Sequence, residues 1–415
     1  MAEDLTLKIL VFSQYFWPES FLINDLAKGL VDNNHHVEVL TGKPNYPLGI
    51  KFKGYERFGF QSETNKGIYI HRVPLLARGA GRIRLALNYM SFIISSSFFS
   101  PFILKGRKFD VIFVYALSPI LQAIPAIILG WIKRIPVVVL VQDLWPDSLL
   151  ASGYIRNKIV LKLFEYIVGF IYSNVDLLLV QSEAFLEPVR SMAKGTPVKY
   201  YPNSVSQNFT LPAQDFADDM AGLNDGFSVM FAGNIGFAQA TDVIIEAASQ
   251  LKGYKDIHFL IIGDGSRRDW LLKERSIRGL SNFHLPGRFP VGTMPNLMRK
   301  ASVLLVTLTD NKVFAITVPS KIQAYMAAGR PILACLNGEG ARLVIEADAG
   351  IAVPAGDSNA LAAGVLKLYK MPATERARLG ANGASYFKEN FDHDKLVLDL
   401  VEHLQMVLNV KEEMS

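Results

Sequence analysis

Apolar residues in this chain come in short unbroken runs. In the first half KILVF (8–12), VEVL (37–40), IYIHRV (68–73), VIFVY (111–115), VVVLV (137–141) and DLLLV (176–180) are separated by helical or irregular stretches. The second half repeats the rhythm with SVMFA (228–232), HFLII (258–262), VLLVTL (303–308), PILAC (331–335) and GIAV (350–353). Runs of this kind, rich in β-branched residues and without polar alternation, predict parallel strands covered on both faces by crossover helices. The pattern predicts an α/β chain of two doubly wound, Rossmann-like domains, at 1–205 and 206–395, with 396–415 a C-terminal helix packing back toward the first. The turn-rich Tyr201-Pro202-Asn203-Ser204 and the polar segment through about Gly226 read as the linker.

The first crossover is legible in detail. Ile23, Leu26, Ala27, Leu30 and Val31 share one helical face, Ser20 is the expected N-cap, and Asn33-Asn34 is the expected stop. The loop before this helix, Tyr15 to Glu19, leaves the carboxyl end of the first strand, the edge at which open α/β sheets hold ligands. Thr41 to Pro47 leaves the second strand in the same way. Gln142-Asp143-Leu144-Trp145-Pro146-Asp147 follows VVVLV directly, so Asp143 and Asp147 are expected at that edge too, as binders of hydroxyls or as a base. The plainer reading is that each caps a turn.

In the second half the run 228–232 enters a glycine-spaced turn, Gly233-Asn234-Ile235-Gly236, and then a helix with Val243, Ile244, Ala247, Ala248 and Leu251 on one face. Glycines there allow close backbone approach, as a phosphate requires. Gly263-Asp264-Gly265 and Thr317-Val318-Pro319-Ser320-Lys321 should converge on the same strand ends. Ser320 fits an N-cap, and free N–H groups at that helix start with the charge of Lys321 suit a diphosphate. The alternative is an ordinary capped helix with a solvated lysine.

Composition narrows the class. With 415 residues, 50% hydrophobic and 20% charged, the chain is a well-packed globular protein of two or three domains. The single cysteine, Cys335, excludes an internal disulfide, and neither it nor the seven histidines show metal-ligand spacing. No metal or cofactor is expected. MAEDLTLKILVF lacks the basic region and long apolar core of a secretory signal, which points to a reducing, cytoplasmic setting. No aromatic-basic motif supports nucleic-acid binding.

The ensemble YFWPES, INDLAKGL, HHVEVLTGKPNYP, QDLWPDS, YYPNS, FAGNIGFAQ, IIGDGS, LPGRF and VPSKIQAYMAAGRPI resembles the family 4 glycosyltransferases of the GT-B fold over about residues 8 to 395. It is most similar to the WbuB-like branch of O-antigen and capsule sugar transferases, the L-fucosaminyl type. The resemblance implies two domains facing a cleft, a UDP-sugar donor held by the C-terminal one, a lipid-linked acceptor held by the N-terminal one, retention of anomeric configuration and no metal. It places Gly233, Asn234, Gly236, Gln239, Gly263, Asp264, Gly265, Arg288, Thr317, Pro319, Ser320 and Lys321 at the donor. Trp17, Glu19, Asn24, Asn45, Tyr46 and Asp147 fall on the acceptor side, with Asp143 and Lys321 in catalytic roles. Asn234 and Gln239 stand where the family carries Arg and Lys, and Ile316 and Ala324 where it carries paired glutamates; its glycine pair before the first crossover helix is absent near Ser20 and Phe21. A non-catalytic GT-B partner protein and a UDP-sugar 2-epimerase are the rival expectations.

Between Arg84 and Lys105 lie 20 uncharged residues, diluted by five serines, Asn88 and Pro101 and flanked by Arg78, Arg82, Arg84, Lys105, Arg107 and Lys108. The expectation is a segment lying on the anionic inner face of the cytoplasmic membrane, with a buried helix pair and a membrane span as alternatives.

Overall fold

The structure is a computed structural model that describes residues 6–56, 59–79, 81–151, 157–205, 223 and 226–413. Most of the expected linker, residues 206–222, 224 and 225, lies outside them. The chain divides into two units, residues 1–202 with 393–415 (unit 1) and residues 203–392 (unit 2).

Unit 1 is built on an eight-stranded sheet. Its strands are β1 Lys8–Phe12, β2 His36–Gly42, β3 Gln61–Asn65, β4 Ile68–Val73, β5 Val111–Ala116, β6 Val137–Val141, β7 Leu177–Val180 and β8 Val198–Tyr200, in the order β3-β4-β2-β1-β5-β6-β7-β8. All pairs are parallel except β3 with β4. Residues 111–116 and 137–141 are buried throughout, which is why those runs show no polar alternation. The six expected strands are present, and β3 and β8 are additions. β3 is a polar edge strand reached through Lys66-Gly67, both at positive φ, the two-residue turn whose twist suits a hairpin.

The helix Leu22–Asp32 buries Ile23, Leu26, Ala27 and Leu30 against this sheet. Its N-cap is Phe21 with no side-chain cap bond, so Ser20 does not cap it; Asn34 does adopt the left-handed conformation expected of the stop. The helix His393–Glu413 packs on it and adds Leu396, Val397, Leu400, Val401, Leu404 and Val407 to the same core.

Unit 2 holds a wholly parallel sheet of β9 Phe227–Asn234, β10 Ile257–Asp264, β11 Phe283–Gly287, β12 Val303–Thr307, β13 Ile332–Cys335 and β14 Gly350–Val353, ordered β11-β10-β9-β12-β13-β14. Five correspond to the expected runs, and β11, which carries Pro286 and Gly287, is the addition. The chain winds outward from β9 to β11, then crosses to β12 on the other side of β9. This reversal is where open sheets form a ligand crevice. Pairing of β9 with β12 is recorded only at Val229 and Met230. Beyond it the Ala232 N–H donates to the fully buried Tyr325 hydroxyl at 3.0 Å, so a side chain takes over from the ladder and the two strand ends diverge.

Candidate functional site

Around the divergence of β9 and β12 three loops meet. The Ile235 N–H donates to the Asp264 carbonyl at 2.8 Å and the Arg267 N–H to the Ile235 carbonyl at 3.0 Å, zipping the turns after β9 and β10 together. Both turns depend on glycine. Gly263 has φ +135°, and a Cβ on it would lie 1.8 Å from the Gly233 carbonyl oxygen; one on Gly265 would lie 2.4 Å from that of Ile235. The loop after β12 joins them through Thr309 N–H to the Ala238 carbonyl at 3.0 Å and Thr307 Oγ1 to the Gln239 carbonyl at 2.5 Å.

The helix Ser320–Ala328 starts at this junction. Pro319 is its N-cap and no side chain caps it, so Ser320 is the exposed first helical residue rather than the expected cap. Lys321 and Tyr325, four residues apart, present one face of this helix to β9. The Lys321 ammonium lies 4.7 Å from the Phe231 ring centroid and reaches Gly233, where a Cβ would come within 2.8 Å of Lys321 Cε. Burial pushes this ammonium down to about 8, with no carboxylate among the described residues drawing it back up. A cation held without a counter-ion beside a helix N-terminus and a glycine turn can take an anion.

The remaining donor-side candidates sit around this centre. Gln239 Oε1 accepts from the Gly236 N–H at 3.1 Å and lies 3.5 Å from Asn234 Nδ2, so both amides shape the turn. Asp264 Oδ1 accepts from the Gly265 N–H at 2.8 Å, while its Oδ2 is 3.3 Å from Arg288 Nε in a largely exposed pair. Thr317 Oγ1 donates to the Val313 carbonyl at 2.8 Å, which closes the preceding short helix. Two contributors escaped sequence reading. Tyr325 was legible only as the i+4 partner of Lys321; Arg267, stacked on Phe237 and Trp270 beside the first turn, carried no motif.

In unit 1 the strand ends are joined by side chains. Glu19, fully buried, accepts from the Asn45 and Tyr46 N–H groups at 2.7 Å each, and burial pushes its carboxyl up to about 7 despite those bonds. Asn24 accepts from the Trp17 N–H at 2.9 Å and donates to the Glu19 carbonyl at 2.7 Å. Asn45, fully buried, donates to the Lys43 carbonyl and accepts from the Arg78 N–H. Asn24 and Asn45 therefore hold loops together, Asn45 with no exposed surface and Asn24 half-buried. Trp17 and Tyr46 are the partly exposed members, Tyr46 in ring contact with Tyr15 and Phe21.

Asp143 and Asp147 part company. Asp143, half-buried after β6, accepts from Ser118 Oγ at 2.7 Å; burial raises its carboxyl and that bond lowers it. Asp147 is exposed at the start of the short helix Asp147–Ala151, lining a cavity of about 370 Å³ with Trp145, Glu165, Tyr166 and Lys194. Among the described residues no group of three or more His, Cys, Asp or Glu could hold a metal.

Two doubly wound units of this kind are the architecture of GT-B glycosyltransferases, and the solved structures agree. The Anabaena Alr3699/HepE structure in complex with UDP superposes with TM-score 0.69 at 15% identity, covering 96% of this chain and all of that one. An Escherichia coli trehalose-6-phosphate structure bound with UDP-2-fluoro glucose gives 0.73 at 12% identity, covering 96% and 98%. The family described as glycosyl transferase 4-like domain matches residues 22–203, and glycosyl transferases group 1 matches residues 226–371. With a glycosyltransferase domain matched in each half of the chain, the protein is a glycosyltransferase. It is similar to a Pseudomonas aeruginosa protein named "Probable glycosyltransferase WbjE", 27% identical over 76% of this chain and 77% of that one. An Escherichia coli (strain K12) protein named for colanic acid biosynthesis, glycosyl transferase WcaI, is 25% identical over 78% and 82%.

Proposed function

We propose that this glycosyltransferase moves a sugar from a UDP-sugar to a lipid-linked saccharide in bacterial surface-polysaccharide synthesis, with retention of anomeric configuration and without a metal. The observation that carries the reading is Lys321, a cation without a carboxylate partner among the described residues, at a helix N-terminus against a glycine turn. Those N–H groups and the ammonium would hold the diphosphate and stabilise the charge that grows on the leaving phosphate. That phosphate would take the proton of the attacking hydroxyl, so the reading calls for no side-chain nucleophile. Support for UDP comes from the bound nucleotide of the HepE structure, and for the acceptor from the colanic acid name of the E. coli relative. An aminosugar of the L-fucosamine type is the donor that the sequence resemblance favours. Asp143 would orient hydroxyls of the acceptor or transferred sugar.

The test is Lys321→Ala with UDP-sugar and a lipid-linked acceptor extract. The expected loss is about 2–4 kcal/mol of transition-state stabilisation in kcat/KM, because a charge-assisted contact to a developing anion is removed. A folded variant that transfers sugar at the wild-type rate overturns this placement of the diphosphate. UDP binding by the wild type without transfer, over a broad acceptor set, would favour a non-catalytic partner, a reading motivated by Asn234, Gln239, Ile316 and Ala324.

A further inference from the structure

The expected apolar segment is a single helix, Arg82–Ile103, that is apolar on its outer face as well as on part of its inner one. Ile83, Leu87, Met90, Ile94, Phe98 and Phe102 recur at steps of three and four and are exposed, while Phe92 and Ile93 are buried together with Asn88, Ser95, Ser96 and Ser100. A helix that only covers a water-soluble core has a polar outer face instead of this apolar row. Ser95, Ser96 and Ser100 face inward, and the helix packs on the neighbouring helix Ala123–Lys133. Asn88 is tied to the unit by bonds from Gln14 Nε2 at 2.8 Å and to the Leu76 carbonyl at 2.6 Å.

The exposed apolar face continues beyond this helix. Trp131 and Ile132 at the end of Ala123–Lys133 are exposed, and Trp131 meets Phe170 of the helix Lys158–Tyr172 edge to face at 6.2 Å. That third helix exposes Ile159, Leu163 and Tyr166 on the way. The charge is one-sided. Arg82–Ile103 and Ala123–Lys133 contain no acidic residue and Lys158–Tyr172 only Glu165, while Arg84, Lys105, Lys108, Lys158 and Lys162 are exposed around them.

We propose that unit 1 docks on an anionic lipid bilayer through this three-helix face, with the helices lying along the interface. Apolar side chains would enter the acyl boundary, Trp131 and Tyr166 would sit at headgroup depth, and the lysines and arginines would meet the lipid phosphates. The same basic rim would repel a second copy placed face to face, which favours lipid over self-association. Arg82–Ile103 is long and apolar enough to cross a membrane, but its Asn88 and serine face is already packed on the unit. The proposal stands independently of the sugar-transfer reading.

The experiment is sedimentation of the full chain with vesicles of phosphatidylcholine alone or mixed with phosphatidylglycerol, beside Ile94→Glu/Phe98→Glu and Arg84→Glu/Lys105→Glu variants whose folding is checked by circular dichroism. The wild type should sediment with the anionic vesicles, less so at high salt, and each variant should bind roughly tenfold or more weakly. Brominated lipid should quench part of the wild-type tryptophan fluorescence, and Trp131→Phe should remove that part. This second measurement holds even if the double glutamate variant fails to fold. The proposal is overturned if the wild type stays in the supernatant, or if folded variants sediment unchanged. A concentration-dependent dimer that Ile94→Glu/Phe98→Glu dissolves, with no lipid binding, would assign the face to a second copy instead.

Discussion

The two sheets reverse their winding in the same way, between β1 and β5 in unit 1 and between β9 and β12 in unit 2, yet the two crevices are filled by opposite means. In unit 1 a chain of buried amides closes the edge: Gln122 Oε1 accepts from the Gln14 N–H at 2.8 Å, Gln14 Nε2 donates to Asn88, and Asn88 lies 3.4 Å from Asn45 Oδ1. In unit 2 the turns are joined mainly through backbone N–H and carbonyl groups, with Gln239, Thr307 and Tyr325 adding side-chain bonds. Glycine turns, a helix start and the Lys321 ammonium lie there instead. An edge made of interlocked side chains is rigid and presents a fixed surface of rings, suited to a large hydroxylated ligand; an edge made of backbone and one cation is suited to an anion.

The most damaging way to break the unit 2 arrangement is Gly263→Ala. Its Cβ would overlap the Gly233 carbonyl, and neither strand can retreat without losing its neighbour, so urea unfolding should show a loss of about 3 kcal/mol and UDP affinity should fall with it. In unit 1 the most sensitive point is Glu19. Its folded carboxyl is raised from 4.5 to about 7, so the folded state keeps a proton that the unfolded chain releases. Stability from this group is fully present below about 4.5 and is lost as pH rises through about 7, by at most about 3 kcal/mol. Glu19→Gln, which keeps an acceptor for the Asn45 and Tyr46 N–H groups, should flatten that part of the stability–pH curve.

A third measurement sharpens the contrast through Lys321. Because its folded value is lowered to about 8, the free site loses its charge as pH rises through 8, and a bound diphosphate must restore the proton. UDP affinity should therefore weaken by up to about tenfold per pH unit above 8, with proton uptake seen by calorimetry in buffers of different ionisation enthalpy. Lys321→Arg should move the weakening to far higher pH. The smallest effect belongs to Ser320→Ala. A capping serine would cost about 1 kcal/mol, but this one makes no cap bond, so stability should change by less than about 0.5 kcal/mol.

How much of this was legible in the sequence follows from how local each signal is. Strands β1, β5, β6 and β12 are runs of residues buried on both sides, and any chain with those runs announces them. β3 is polar and half-exposed, held by its turn and one partner, and no hydrophobic period marks it. The glycine turns were visible because glycine is rare where it is not needed, and Lys321 because it opens a helix. Asn24 and Asn45 come to the acceptor side through the family resemblance, and no local pattern marks their partners. Those partners are set by tertiary packing, as with Asn45 and Asn88, which lie 43 residues apart in sequence. The helix Arg82–Ile103 was visible as an apolar stretch, but which of its faces looks outward is decided by its packing within unit 1, a tertiary fact.

The helix His393–Glu413 sets an order of events for the nascent chain. It supplies Leu396, Val397, Leu400, Val401, Leu404 and Val407 to the core of unit 1, but it is translated only after every residue of unit 2. While unit 2 is being made, the first 202 residues still lack the six apolar side chains that this helix adds to their core. A chain stopped before residue 393 would thus leave the core of unit 1 incomplete, and that apolar surface is the part that a chaperone would be expected to hold.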